Sequence, residues 1–395
     1  MKRKKRVAVL GATGSIGKNT LDILRAGKDD FEPVLFSGYR DAPGLLALGK
    51  EYPGAALAFA ADDYGGSGGA EFDRKRTYFG REGLLRSIAE CGAGIVVNGI
   101  AGAAGLEPSL AALEAGSDLA LANKETIVMA GELALGLAKR KKVRIIPVDS
   151  EHSTVFSLLE AHGRDRTAEI LLTASGGPFR KKPLEELGRI TYKDALNHPT
   201  WNMGPKITVD SATLANKGLE VIEAAKLFDM NAEQIKVVVH PQSVVHSMVR
   251  LKDGAVYAQL SRPDMRLPIH NALYYPDTMP CSFGLLDFDC LTLEFEKPDY
   301  ERFPMLPLAY EASRRGGMYP AIYNAANEAA VSAFAENRAG FSDIPRIVSF
   351  VLHSDRDFGA PFPGTDSAAT LGAILETDRL AREKAEKFIL EMILC

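Results

Sequence analysis

The sequence predicts an α/β fold in three parts, with strand–helix repeats first, a mixed region next and helices last. Three features carry this prediction. Apolar, β-branched runs alternate with helical patterns through residues 1–149, as expected of a parallel sheet. The first run, Arg6 to Leu10, feeds directly into the glycine turn Gly11-Ala12-Thr13-Gly14-Ser15-Ile16-Gly17. From Tyr310 onward the pattern is helical, ending in an amphipathic stretch with Arg, Glu and Lys interleaved. A chain of 395 residues exceeds what one compact core organises. The expected parts are a Rossmann-like dinucleotide domain over 1–149, a central α/β catalytic domain over 150–276, a linker over 277–300 and a C-terminal α-helical domain over 301–395.

Composition excludes several function classes. The hydrophobic share is 46% and the charged share 25%, as in globular proteins generally. No apolar run is long enough to span a bilayer, so no membrane partner is expected. A net charge of −4 gives no general attraction to nucleic acid. The basic start MKRKKR leads at once into the glycine motif, so a leader is read as absent and the basic run as a solvated tail. Cys91, Cys281, Cys290 and Cys395 show no metal-like spacing and suit a reducing cytoplasm.

Taken in order, the first strand and glycine turn should be followed by a helix over Ser15 to Ala26. Glycines let a backbone approach a pyrophosphate, and the helix N-terminus offers free N–H groups to it. The spacing is G-x-x-G-x-x-G, and its position after an apolar strand strengthens the reading. The next strand, Pro33 to Phe36, ends at Ser37-Gly38-Tyr39-Arg40-Asp41, where such folds choose between NAD and NADP. Arg40 favours NADP through a charge-assisted contact to the 2′-phosphate, and Asp41 is the competing signal. Asp62 to Ala70 reads as a surface loop. Strands at Gly94–Val97 and from Asp118 flank a helix over Leu106–Ala115 and deliver Asn123-Lys124-Glu125 to the carboxyl edge of the sheet. Lys124 either pairs with Glu125 or meets an anionic substrate.

The stretch Val143 to Thr154 reads as a buried strand ending in Asp149, Ser150 and Glu151. Along a strand, positions 149 and 151 point the same way, and two carboxylates so placed repel unless a cation lies between them. Oxygen ligands without cysteine favour Mg²⁺ or Mn²⁺. The alternative is a strand end followed by an acidic helix N-cap.

Beyond His152 the repetition weakens. A helix near Thr154 to Ala161 precedes a strand at Glu169–Thr173 and then Ala174-Ser175-Gly176-Gly177, whose hydroxyl and backbone donors suit a phosphate or form an ordinary turn. Asn197 to Pro205 holds the single tryptophan, Trp201, with His198, and reads as a lid over substrate. Ile207 to Asp210 reads as a short strand. Ser211, Asn216 and Lys217 then form a cluster of phosphate donors, and Glu220 or Glu223 is placed to add a third carboxylate. His240 and His246 lie in a β-branched stretch and read as buried, hydrogen-bonded histidines. Val256–Leu260 is a further strand, Arg262 to Pro268 leaves the sheet, and Asp277 to Pro298 reads as linker. Helices are expected near Ala321–Glu336, Ser342–Leu352 and Ser367–Leu394.

Seven motifs in order carry a resemblance: the glycine turn at 11–17, Asn123-Lys-Glu125, Val148-Asp-Ser-Glu-His152, Ser175-Gly-Gly-Pro-Phe179, His198-Pro-Thr-Trp-Asn-Met-Gly204, Asp210 through Glu220, and His240-Pro-Gln-Ser-Val-Val-His246. Together they closely resemble the 1-deoxy-D-xylulose 5-phosphate reductoisomerase family, across nearly the whole chain. The resemblance implies a homodimeric, cytoplasmic, NADPH-dependent oxidoreductase of the non-mevalonate isoprenoid route. It implies a divalent ion, Mn²⁺ or Mg²⁺ with Co²⁺ as a substitute, held by Asp149, Glu151 and Glu220. It places the sugar phosphate at Lys124, Ser150, Glu151, Ser175, His198, Trp201, Met203, Ser211, Asn216, Lys217, Glu220 and His246, with Lys124, Glu151 and His198 catalytic. The cofactor would meet Thr13, Gly14, Ser15, Ile16, Gly38, Tyr39, Arg40, Asn123, Glu125, Gly204 and Met265. One departure concerns the cofactor: the family usually has Gly-Lys-Asn where this chain has Gly38-Tyr39-Arg40. Two other classes fit parts of the sequence, a different Rossmann-type NADP reductase and a non-catalytic NADP-sensing module. Neither needs the carboxylate set together with the phosphate donors.

Overall fold

The structure, a computed structural model, describes residues 3–61, 72–201, 203–354 and 367–394. The loop expected at Asp62–Ala70 lies outside the described residues. The chain divides into two compact units, the first comprising Met1–Thr126, Ala134–Ser153 and Asp264–Gly284. The second comprises Ile127–Leu133, Thr154–Pro263 and Leu285–Cys395.

In the first unit the chain runs β1 (Lys5–Leu10), α1 (Ser15–Ala26), β2 (Phe31–Gly38), α2 (Ala42–Glu51), β3 (Ala56–Phe59), β4 (Thr77–Phe79), α3 (Gly80–Glu90), β5 (Ile95–Asn98), α4 (Leu106–Glu114) and β6 (Asp118–Leu121). It then passes through α5 (Lys124–Lys141) and β7 (Ile145–Pro147) to α6 (Ser150–His162), of which residues 127–133 and 154–162 belong to the second unit. Among the described residues these strands form one seven-stranded parallel sheet, order β4-β3-β2-β1-β5-β6-β7. The order reverses beside β1, which is where ligands bind in such sheets. Val7, Ala8, Val9 and Leu10 of β1 are fully buried, as a central parallel strand with helices on both faces requires.

The second unit contains β8 (Thr167–Ala174), α7 (Tyr192–Ala195), α8 (Pro205–Ala212), α9 (Ala215–Leu227), β9 (Ile235–Val239), β10 (Val245–Leu251) and β11 (Val256–Leu260). Its sheet has the order β11-β10-β8-β9, with β8 and β9 parallel and the other pairs antiparallel. Ile170, Leu172, Val237, Val249 and Leu251 of the sheet pack with Val221 and Ala224 of α9 and with its C-cap Phe228 in one core. After α10 (Arg266–Tyr274), which lies in the first unit, come α11 (Met305–Arg315), α12 (Tyr319–Ala335), α13 (Asp343–Leu352) and α14 (Ser367–Leu394).

Four expectations need correction. The strand ending in Asp149 stops at Pro147, and α6 already begins at Ser150. Ile207–Asp210 is not a strand but the middle of α8: Gly204 and Pro205 start a helix there, and the Thr208 hydroxyl bonds back to Gly204 O (2.8 Å), so local start signals override the β-branched run. The expected boundary at 276 falls inside a segment that packs with the first unit. There α10 packs on α1, with the Tyr274 ring edge-on to Phe31 at the start of β2 (4.9 Å) and its hydroxyl donating to Asp30 (2.8 Å). The expected linker is tied down at its far end, where Glu296 pairs with Val239 through two backbone hydrogen bonds (2.9 and 2.8 Å).

Candidate functional site

The first unit builds its functional edge from strand ends. Gly11 has φ +73, and a side chain there would press within 3.1 Å of Gly99 O. A Cβ on Gly17 would lie 2.4 Å from the backbone of Gly11 and Ala12, so this glycine is what lets α1 start against the turn. Ser37 holds the turn from β2, accepting the Gly11 N–H on its hydroxyl (3.0 Å). Gly14 is the N-cap of α1 and has no side chain to cap it. The N–H groups of Ser15 and Ile16 are thus presented at a helix start that favours anions, beside Thr13.

Arg40 and Tyr39 are both exposed after β2, with the guanidinium 5.4 Å from the Tyr39 ring centre. Asp41, the competing signal, is committed elsewhere. It is the N-cap of α2 and accepts the Gly44 N–H at 2.9 Å, which leaves Arg40 as the charged group at the end of β2. Among the described residues no carboxylate pairs with Arg40.

Asn123 is the N-cap of α5 and is 1% exposed. Its oxygen accepts the Thr126 N–H (2.9 Å), and its amide donates to Ile100 O (2.7 Å) and Gly102 O (2.8 Å). This residue therefore shapes the loop after β5. Glu125 is buried beside it, its Oε2 3.1 Å from the Asn123 amide. Lys124 turns the other way and pairs with Asp149 (2.7 Å), both side chains largely buried. Met265 is the N-cap residue of α10 and half-buried.

Asp149 occupies the N-cap position of α6. Its carbonyl accepts the Ser153 N–H (2.8 Å), and its Oδ1 accepts the Glu151 N–H (3.2 Å) and lies 3.3 Å from His152 Nδ1. The carboxylates of Asp149 and Glu151 are thus gathered by the first turn of a helix, and not by strand alternation. Ser150 donates its hydroxyl to Glu151.

The second unit gathers the other predicted residues. Ser175, just after β8, and His198, from the segment before α8, meet with Oγ 3.0 Å from Nε2. Gly177 donates its N–H to the same hydroxyl (3.2 Å). Gly177 has φ +68, and a Cβ there would stand 2.8 Å from Ser211 O, so the Ser175 loop lies flat on α8 beside Ser211. On the other ring edge, His198 Nδ1 accepts the N–H groups of Thr200 (3.1 Å) and Trp201 (2.9 Å). Burial lowers the His198 pKa below the ordinary imidazole value.

On α9, Asn216 donates to Glu220 (2.5 Å), and Lys217 forms a buried ion pair with the same carboxylate. Glu220 is 1% exposed. Glu223, the other residue considered as a third carboxylate, is equally buried one turn on. His246 is buried, with Nε2 3.2 Å from Ser261 O. Burial drives its pKa down to about 4. Its ring centre is 6.3 Å from that of Trp201. Met203 is half-buried, Gly204 is exposed at the start of α8, and Asn202 lies outside the described residues. His240 is a buried structural residue, as read: Nδ1 lies 2.8 Å from Glu294 O, and Nε2 accepts the Val244 N–H (3.3 Å).

Two residues escaped the sequence reading. In the sequence Ser37 reads only as part of a turn, although it holds the glycine loop. Asp210 reads as a strand residue, yet it is a buried carboxylate bonded to Asn327, 117 positions away, a partner that no local signal reveals.

Models of reductoisomerase domains match three stretches: the 1-deoxy-D-xylulose 5-phosphate reductoisomerase model over residues 7–131, its C-terminal domain over 145–228, and a further DXP reductoisomerase C-terminal domain over 260–384. The reductoisomerase of Chlorobium chlorochromatii is 47% identical over 388 residues, covering 97% of this chain and 99% of its own. That of Treponema denticola is 49% identical over 354 residues, covering 89% and 91%. A solved DOX-P reductoisomerase in complex with NADPH, fosmidomycin and magnesium has a TM-score of 0.92 and 38% identity, covering 98% of this chain and 99% of that one. The Zymomonas mobilis enzyme in complex with NADPH has a TM-score of 0.88 and 39% identity, with the same coverage. With relatives this similar over almost its full length, the chain belongs to the 1-deoxy-D-xylulose 5-phosphate reductoisomerase family.

Proposed function

We propose that the protein converts 1-deoxy-D-xylulose 5-phosphate to 2-C-methyl-D-erythritol 4-phosphate, using NADPH and a divalent ion, Mg²⁺ or Mn²⁺ with Co²⁺ as a substitute. The observation that carries this reading is the family membership, together with motifs that keep both the dinucleotide turn and the phosphate-donor cluster. A different Rossmann reductase or an NADP sensor would have no use for Ser175, Ser211, Asn216 and Lys217 in one unit.

Asp149, Glu151 and Glu220 would offer a hard divalent ion carboxylate oxygens, the donors such an ion prefers. When bound, the ion supplies Lewis acidity to the substrate's carbonyl and hydroxyl oxygens. NADPH supplies the hydride that reduces the rearranged aldehyde. The chain's own residues do the rest. Lys124 pairs with Asp149 and keeps an ammonium beside it. His198, neutral because burial lowers its pKa, uses Nδ1 to accept backbone N–H groups, so Nε2 bears the proton and donates to Ser175. That leaves the Ser175 hydroxyl proton free to donate to a phosphate oxygen. Ser211, Asn216 and Lys217 add further donors, and Ser150 and His246 complete the sugar contacts. Trp201 and Met203 belong to a lid that closes on the substrate, which phosphate contacts far from the reacting carbons would drive. Arg40 takes the 2′-phosphate, and Thr13 to Ile16 take the pyrophosphate.

We place the protein in the cytoplasm, as a homodimer. No helix among the described residues is long and apolar enough to cross a membrane. The edge strand β11 carries Val256 and Tyr257 at 44% and 41% exposure, an apolar edge that a second copy would cover. The deciding experiment is NADPH oxidation with 1-deoxy-D-xylulose 5-phosphate, with and without Mg²⁺ or Mn²⁺. Turnover that needs both the substrate and the ion is expected, and turnover unaffected by chelator would reject the metal assignment.

A further inference from the structure

We infer that Asp210 is a positioning residue for the substrate's phosphate, acting by fixing the helix that carries Ser211; the inference rests on the function proposed above. Asp210 is 1% exposed, and a carboxylate so buried must be satisfied on both oxygens. Its Oδ1 accepts from the amide of Asn327 on α12 (2.8 Å), and its Oδ2 faces Lys206 Nζ (2.9 Å). Asn327 is fully buried. Lys206 is in the first turn of α8, directly after the Gly204-Pro205 end of the Trp201 segment. One carboxylate therefore ties together the end of that segment, the neighbour of Ser211 and α12. The chain of charges continues outward: Lys206 lies 3.9 Å from Glu328, which accepts from Arg382 of α14 at 2.7 Å.

Helix α8 needs such an anchor. It is eight residues long and contains Ile207, Thr208 and Val209 in succession, too short and too β-branched to hold itself in water. Its other side is pressed by Gly177, where no Cβ fits against Ser211 O. Held between α12 and the Ser175 loop, α8 has one position, and that position sets the Ser211 hydroxyl relative to Ser175. An apolar residue at 210 would fill the space but would not fix the roll of the helix, because dispersion contacts are not directional.

The test compares Asp210→Asn with wild type in the full-length protein, reading the KM for 1-deoxy-D-xylulose 5-phosphate, kcat, the KM for NADPH, and the Kd of inorganic phosphate by calorimetry. Loss of the charge pair should raise the substrate KM and the phosphate Kd by about ten- to a hundredfold. The NADPH KM and kcat at saturation should change by less than about threefold. The double variant Asp210→Asn with Asn327→Asp, which returns one carboxylate to the pair, should recover part of the loss. Equal losses in kcat and in both Michaelis constants, or an unchanged phosphate Kd, would overturn the inference. If Asp210→Asn does not fold, Asn327→Ala decides on the same readouts. Wild-type protein that binds phosphate without turning over the sugar phosphate would reject the proposed function, while the phosphate Kd of the variants would still decide the role of Asp210.

Discussion

Ser175 Oγ and His198 Nε2 lie 3.0 Å apart, and the direction of that hydrogen bond follows from the far side of the ring. Because Nδ1 already accepts two backbone N–H groups, the proton sits on Nε2 and the serine accepts. Protonation of Nδ1 would replace an acceptor by a donor facing two donors. The His198 pKa is lowered by burial, so the neutral form persists to a lower pH than in an ordinary imidazole. The acid limb of kcat/KM for the sugar phosphate should therefore fall below pH 6.5, the ordinary value, and His198→Gln should abolish that limb along with most activity. A limb at or above the ordinary value in the wild type would contradict the assignment.

Gly177→Ala tests the approach of the Ser175 loop to α8. The residue has φ +68, where a side chain costs about 1–2 kcal/mol, and its Cβ would stand 2.8 Å from Ser211 O. The backbone must shift, so a lowered Tm together with a raised substrate KM is expected, with the NADPH KM unchanged. A variant indistinguishable from wild type would mean that the loop and helix tolerate separation.

His246 predicts how stability depends on pH. Its folded pKa is about 4, against an unfolded value of 6.5, with burial as the main cause. A folded value depressed in this way means that the unfolded chain binds the proton first. Stability is full above pH 6.5 and is lost as the pH falls toward 4, by about 3 kcal/mol at the end of that range. Urea unfolding at pH 7 and at pH 5 should show a smaller difference for His246→Gln than for wild type. Equal differences would place the acid sensitivity elsewhere.

Arg40→Ala should raise the KM for NADPH by about ten- to a hundredfold, as loss of a charge-assisted contact does, and leave NADH nearly untouched. Tyr39→Phe is the control, since Tyr39 stands where the family usually has lysine. Equal weakening of both cofactors would mean that Arg40 supports the loop and does not read the 2′-phosphate.

Much of the fold was legible because its signals are local. The bounds of α1, Ser15–Ala26, and of β11, Val256–Leu260, match the reading from periodicity and turn residues. The glycine turn was legible for the same reason: a backbone that must take φ +73 at Gly11, or pass without a Cβ at Gly17, can be made by few residues other than glycine. The motif order also identified the family. What the sequence left open depends partly on where elements begin and end, and partly on partners distant along the chain. Whether Asp41 binds a ribose or caps a helix was decided by where α2 begins. The gathering of Asp149 and Glu151 was decided by a strand that stops at Pro147 and a helix that starts at once. The β-branched run at Ile207–Asp210 became helix because its ends carry helix-start signals and its buried carboxylate finds Asn327 on α12. Local sequence sets what a backbone segment can do, but a buried charge takes the partner the topology brings to it, and residues 117 positions apart have no shared signal until the chain is folded.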